Sequence, residues 1–461
     1  MFYILFPNLV SNLFSNLFSN LFSNIIIMFP KVYDYELDNG TQIVLIPIKN
    51  IKNVATSLSF DIGYLEETKE EDGLAHLAEH IISRYITQHT KIKEIKANGN
   101  YVYSNAHTSH FSTKYEIYSS NKFIEDILDS FVPLYNFNRT DRHIFYKELG
   151  AVIVELKQII SNKDKYIKYK NLPELVFGEN GIMVNDPVEE IKNLKGKTEC
   201  ELINFVQRFY KPVNSVLTIV GDFDKAKLLS KIKLKFNKIV EGDLRPKRII
   251  KIPKSYSPKY NFELSSTSKL NNLYLGFSCP DINNSIDLSI SILLKKMLVE
   301  LNDTSILFSR LRSKLGVVYS PGIKRYLNNH YGLFIINYNI ETHNYEKGFT
   351  ELINILNELK EGKIITEALI NIAKDKIMYE INVAQHDNTP ENYLYYSDYI
   401  LQDRDLLNPL QFYNKYIKNI SINKIKNWCK KIFIKQNSYL CVVGKKDLFK
   451  DVSIKELKRL K

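Results

Sequence analysis

Three residues within two turns of one predicted helix carry the groups that hydrolytic metal chemistry needs. In the stretch Gly73 to Tyr85, GLAHLAEHIISRY, His76 and His80 stand four apart with Glu79 between them. Positions four apart lie one above the other on a helix face, so the two imidazoles can converge on a single ion. Glu79 follows His76 by three and precedes His80 by one, which brings its carboxylate toward a water at that ion. This order, HxxEH, is the inverzincin reverse of HExxH, and both orders supply two imidazole ligands and one base. The bland alternative is an amphipathic helix that carries two histidines by accident. A third donor decides between them, because a catalytic zinc site takes three protein ligands and keeps a fourth position open.

A candidate lies in Asp141 to Ser161, DRHIFYKELGAVIVELKQIIS, whose apolar residues recur at helical spacing. Its Glu148 and Glu155 are seven apart, close to two helical turns, so both carboxylates leave one face. At this point the chain resembles the M16 peptidase family, the pitrilysin and insulin-degrading-enzyme type that also includes the mitochondrial processing peptidases. Members of that family follow HxxEH with a helix bearing two glutamates seven apart, and here Glu155 lies 75 residues beyond His80. The resemblance implies one zinc ion per chain, with Glu155 as third ligand beside His76 and His80. It also implies Glu79 as the base and Glu148 as an accessory acid behind the ligands, where such groups orient ligands and tune bound water.

Around these helices the first half reads as a strand-rich scaffold. YELDNGTQIVLIPI predicts a strand pair about Asn39-Gly40, a strong hairpin signal, and Ala55 to Phe60 alternates as a further strand leading into the zinc helix. Gly99 to Tyr118 reads as two β segments. It resembles the family strand whose NAxT segment (Asn105, Ala106, His107 and Thr108 here) lies beside the metal and pairs with the substrate backbone. Asn105 and Ala106 are thereby implied in substrate binding, while His107 and His110 read as surface or pocket residues. Lys122 to Tyr135 predicts an amphipathic helix, FGENGIMVNDPVEEIKNL a turn-rich crossing, and RFYKPVNSVLTIVGDFD a buried strand closing the half at Gly221-Asp222.

The second half repeats that outline. Strands are expected near Asn272 to Phe277, Val317 to Tyr326 and Gly332 to Ile340, with a helix from Ser285 to Leu301 and a closing strand YLCVVG. SISILLKKMLVEL, the counterpart of the zinc helix, contains no histidine, so this copy keeps the scaffold without the metal. SRLRSKLGVVYSPG resembles a family segment whose arginine and tyrosine grip the substrate near the scissile bond. Arg312 and Tyr319, seven apart, match it, whereas Arg310 is nine from the tyrosine. Preorganised donors of this kind stabilise the oxyanion of a tetrahedral intermediate.

The expected fold class is therefore α+β, with two homologous M16-type domains, each a mostly antiparallel sheet packed with helices. A catalytic domain is expected over 32–235, a proline- and cation-rich linker over 236–259, and a non-metal-binding domain over 260–461. Residues 1–31, with NLFS recurring from Asn12 to Ser23 and no charge before Lys31, read as a low-complexity extension outside the fold, with Met28 as an alternative start. It lacks the basic opening and cleavage site of a signal peptide, and its Asn-Ser repeats disfavour a membrane span. The net charge of +12 is spread through an Ile-, Asn- and Tyr-rich chain without a nucleic-acid motif, so no nucleic acid is expected as partner. Four scattered cysteines form no CxxC and no disulfide framework, which favours a cytoplasmic or other reducing compartment. Family architecture implies a peptide substrate enclosed between two such chains, a homodimer completed in trans or a heterodimer with a related subunit. The rival from another class is a catalytically inactive M16-like scaffold or assembly subunit.

Overall fold

Turn chemistry sets the first hairpin. In the computed structural model, which describes residues 29–178, 181, 183–243, 258–264, 270–387, 389–444 and 448–460, strands β1 (Tyr33–Glu36) and β2 (Gln42–Pro47) pair antiparallel from Tyr33↔Leu45 to Glu36↔Gln42. Gly40 takes φ +82°, and a Cβ there would also meet Val213 Cγ1 at 2.7 Å, so glycine is required twice over. The Asn39 amide donates to the carbonyls of Phe236 and Ile239, fastening the turn to the end of the half.

Two sheets follow one plan. β3 (Asn53–Phe60), β4 (Val102–Thr108), β5 (Thr113–Ser120) and β6 (Ser215–Gly221) complete the first, in the order β1-β2-β6-β3-β5-β4. β7 (Lys259–Leu264), β8 (Asn271–Cys279), β9 (Gly322–Leu327), β10 (Gly332–Ile340) and β11 (Ser438–Gly444) form the second, in the order β7-β11-β8-β10-β9. Apart from β1, each strand of one sheet has a topological counterpart in the other. Both sheets are mostly antiparallel and each contains one parallel pairing, β2 with β6 and β7 with β11. The expected Val317–Tyr326 strand is shorter than read. Pro321 lacks the N–H a ladder needs, the strand starts at Gly322, and upstream only Val318 makes an isolated bridge to Ile340.

Among the helices on these sheets are α1 (Leu74–His89), α2 (Arg142–Ser161), α3 (Leu172–Phe177), α4 (Pro187–Leu194), α5 (Ser285–Lys295), α6 (Glu367–His386) and α7 (Tyr396–Leu401). α1 and α2 cover one face of the first sheet, where Leu77, Ile81, Phe145 and Val152 join Leu45, Leu58 and Leu217 in the core. α5 and α6 do the same on the second sheet with Leu293, Ile370 and Ile377.

The other faces are covered by exchange. Val44, Ile46, Ala55 and Val220 on the back of the first sheet receive Tyr393, Leu394 and Tyr396 from the second half. Tyr274, Ile335, Cys441 and Val443 on the back of the second sheet receive Ile167, Leu172 and Val176 from the first. This explains why β6 and β11 are buried at every position: a strand covered on both faces reads as a continuous apolar run. An ion pair from the buried Lys114 on β5 to Asp398 on α7, at 3.0 Å, also crosses between the halves. The NLFS extension and most of the 236–259 linker lie outside the described residues. Within them, Phe29 packs against both neighbouring clusters, so ordered packing reaches a few residues before Val32. No helix among the described residues is long and apolar enough to cross a membrane.

Candidate metal centre

α1 owes its position to a carboxylate outside the helix. Its N-cap, Gly73, has no side chain, and Glu67 supplies the missing acceptor: Oε2 takes the Gly73 N–H at 3.1 Å and Oε1 the Ala75 N–H at 2.6 Å. α2 starts conventionally, with Asp141 accepting from the N–H groups of His143 and Ile144. The two helices pack side by side, which fixes the distance between the histidines of one and the glutamates of the other.

His76, His80 and Glu155 meet at this seam, each offering a ligand atom within 4.8 Å of the others. His76 Nε2 lies 3.5 Å from Glu155 Oε2, and His80 Nε2 lies 3.7 Å from Glu155 Oε1. Ligands at 2.0–2.1 Å around one tetrahedral zinc stand about 3.3 Å apart, so the donors are nearly at coordinating separation. Glu155 is half-exposed, and the imidazoles are mostly covered. The electrostatics also call for a cation. Burial opposes a charge on His76, yet Glu155 and Glu190 beside it raise its pKa to about 10. Asp72 is pushed up to about 7 by burial and by Glu190, and burial raises the Glu67 carboxyl well above its usual range. In a chain of net charge +12 this pocket is locally acidic, and its residues fit a divalent ion.

Glu79 is buried, and burial raises its pKa against the opposing pull of His76 and His80. Thr108, the last residue of β4, donates its hydroxyl to Glu79 Oε2 at 3.3 Å. Glu148 sits behind His80, with Oε2 3.5 Å from Nδ1, and takes the Arg84 Nε–H on Oε1 at 2.9 Å. β4 is the free edge of the first sheet, and Asn105 and His107 are exposed while Ala106 and Thr108 turn toward the helices. His110 is partly buried, its Nε2 hydrogen-bonded to Asn185 Oδ1.

Arg312 and Tyr319 are not part of this seam. The Arg312 guanidinium lies 4.5 Å from the ring centres of both Phe308 and Tyr319 and donates to the Tyr319 carbonyl. The pair lines an open groove of about 510 Å³ in the second half, lined also by Val318 and Asn339, with Tyr319 largely exposed. Arg310 is engaged by Glu351 and Glu358.

Two family models match, Insulinase (Peptidase family M16) over residues 42–182 and Peptidase M16 inactive domain over residues 198–377, which together span well over half of the chain. The chain belongs to the M16 peptidase family. An uncharacterized zinc protease of Rickettsia felis is 23% identical over 423 residues, covering 90% of this chain and 97% of that protein. Among solved structures, a protease from Helicobacter pylori superposes with TM-score 0.78 at 20% identity, covering 90% of this chain and all of that one. A peptidase M16 inactive domain from Pseudomonas fluorescens also gives TM-score 0.78, at 13% identity, over 90% of this chain and 98% of its own. At these identities the structural likeness shows the fold: two M16 domains, each with a mixed sheet.

Sequence reasoning passed over Glu67, Arg84, Tyr169 and Glu190. Arg84 had a local signal, standing four residues beyond His80 on the same helix face. Glu190 had none, because DPVEEIKNL reads as a crossing loop, whereas Asp186 caps Val188 and Pro187 opens helix α4.

Proposed function

We propose that the chain is a zinc-dependent endopeptidase acting on short or unfolded peptides. The observation that carries this reading is the convergence of His76, His80 and Glu155 beside a buried Glu79 oriented by Thr108. His76 Nε2, His80 Nε2 and a Glu155 oxygen would hold the ion, which when bound supplies Lewis acidity and lowers the pKa of water to about 7. Glu79 accepts a proton from the attacking water on its carboxylate and returns it to the leaving amine nitrogen. Burial makes that carboxylate a stronger base than an exposed glutamate, which suits this exchange. Glu148 holds His80 through Nδ1. The open edge of β4, with Asn105 and Ala106, offers main-chain hydrogen bonds to an extended peptide, a mode that asks little of its sequence.

Arg312 and Tyr319 would complete the centre from a second copy of the chain in a homodimer, donating to the developing oxyanion across an enclosed chamber. Their pairing with each other, away from the histidines, supports sharing in trans. In this scheme residues 32–235 form the catalytic domain and 260–461 its non-metal-binding homologue.

The competing reading is an inactive M16-like subunit, favoured by the likeness to an inactive-domain structure. Zinc content and cleavage of a quenched, unstructured peptide separate the two, measured with and without chelator beside Glu79→Gln. The peptidase reading expects about one zinc per chain and chelator-sensitive cleavage. Stoichiometric zinc without cleavage favours the scaffold, and absence of zinc overturns the metal centre.

A further inference from the structure

We propose that Glu190 is the positioning residue of His76, holding that imidazole from behind as Glu148 holds His80; the inference rests on the metal-site reading above. Glu190 is fully buried, and its Oε1 lies 3.9 Å from His76 Nδ1. Among the described residues neither atom has a hydrogen-bond partner, although both are shielded from solvent. Buried polar atoms are rarely left alone, and here a potential donor and an acceptor face one another across a gap that about 1 Å of side-chain movement closes.

The surroundings fix the carboxylate in that role. Its second oxygen accepts the Tyr169 hydroxyl at 3.2 Å. Tyr169 in turn contacts Tyr64, whose ring stands edge-on to His76 with centroids 6.5 Å apart. Among the described residues, the ion-pair partner of Glu190 is His76, so the carboxylate is not there to neutralise a lysine or arginine. The chain also makes room for it. Gly73, at the start of α1, has φ +93°, and a Cβ there would stand 2.9 Å from Glu190 Cγ. A glycine at the entrance to the zinc helix thus admits the helix that brings Glu190.

A carboxylate on Nδ1 selects one tautomer, with the proton on Nδ1 and the lone pair of Nε2 turned toward Glu155, and it raises the basicity of that nitrogen. Both histidines would then be held alike, by Glu190 from α4 and by Glu148 from α2. Reading this from the sequence is not possible, since Glu190 follows His76 by 114 residues.

The test uses the full chain with Glu190→Gln and Tyr169→Phe, titrated with zinc against a chromogenic chelator. Histidine ring ¹⁵N–¹H spectra are recorded on the zinc-loaded proteins. Glu190→Gln is expected to weaken zinc binding about 10- to 100-fold, the usual cost of removing such a partner. It should also move the His76 Nδ1–H signal while leaving that of His80 in place. Tyr169→Phe should act in the same direction and less strongly, and it carries the test if Glu190→Gln does not fold. Unchanged affinity, or weakened affinity with the His76 signal unmoved in both variants, overturns the positioning role. A wild-type chain that takes up no zinc, with His76→Ala indistinguishable from it, overturns the metal centre itself.

Discussion

The two halves join equivalent helices by different means. In the first, α1 and α2 meet through His76, His80 and Glu155, whose ligand atoms lie within 4.8 Å of one another. In the second, the segment continuing α5 meets α6 through Lys296, whose ammonium lies 2.7 Å from Glu380 and also pairs with Glu300. A lysine brings its own positive charge to the carboxylates, and among the described residues of this half no cluster of metal-ligating side chains is found. In the proposed peptidase the imidazole pair and Glu155 would instead hold a divalent ion, with Glu79 beside it as base. The scaffold is common to both halves, and on the proposed reading the difference is whether the cation is built in or recruited.

The largest expected effect comes from undoing recruitment. Glu155→Ala or His80→Ala should lose zinc and bring peptide cleavage down to the level seen with chelator, as measured by metal analysis and turnover on one preparation. If either variant keeps stoichiometric metal, the first half does not work as described. Next in size, Glu79→Gln should retain zinc and lose about 10² to 10⁴ in kcat. A near-normal rate would remove Glu79 from the role of base. Mixing Arg312→Ala chains with Glu79→Gln chains tests whether the two halves act on one substrate in trans. Partial recovery is expected, at most about a quarter of wild-type activity per chain if chains assort at random. No recovery in demonstrated mixed dimers would end that idea.

A smaller effect should come from the second half. Lys296→Met is expected to lower stability by about 1 kcal/mol, typical of a partly exposed ion-pair network, with zinc affinity untouched. The Lys296 pKa is raised by Glu300 and Glu380 against the opposing effect of burial, and the Glu300 pKa is lowered by Lys295 and Lys296 despite burial. The network's contribution should therefore hold between the ordinary glutamate and lysine pKa values and shrink as pH falls through the folded pKa of Glu300. Smallest and of opposite sense, Asp72 has a folded pKa raised to about 7. Its neutral form favours the fold below about 4, and that support is lost as pH rises to about 7. Asp72→Asn should flatten this part of the metal-free protein's pH–melting profile.

Local signals made much of this molecule legible. The Asn39-Gly40 turn, the helix around HLAEH, the paired glutamates of α2 and the echo of Val220-Gly221 in Val443-Gly444 are all short-range patterns, and each lies where such patterns put it. Long-range contacts were not legible. No periodicity in residues 187–194 reveals that Glu190 faces His76, and nothing in Tyr393, Leu394 and Tyr396 says that they cover the opposite sheet. The continuous apolar runs of β6 and β11 do signal burial on both faces, without saying which segment supplies the cover. The shortened β9 shows a local rule outvoted: apolar Val317-Val318 suited a strand, and Pro321 delayed it.

The reciprocal exchange of Leu172 and Tyr396 bears on how such a molecule can move. Each sheet wears a roof that belongs to its neighbour, so swinging the halves apart would strip two oily surfaces at once. Large excursions within one chain are therefore strongly opposed. In the proposed homodimer, a doorway for a peptide would then have to open along a boundary less thoroughly stitched, at the seam between two copies.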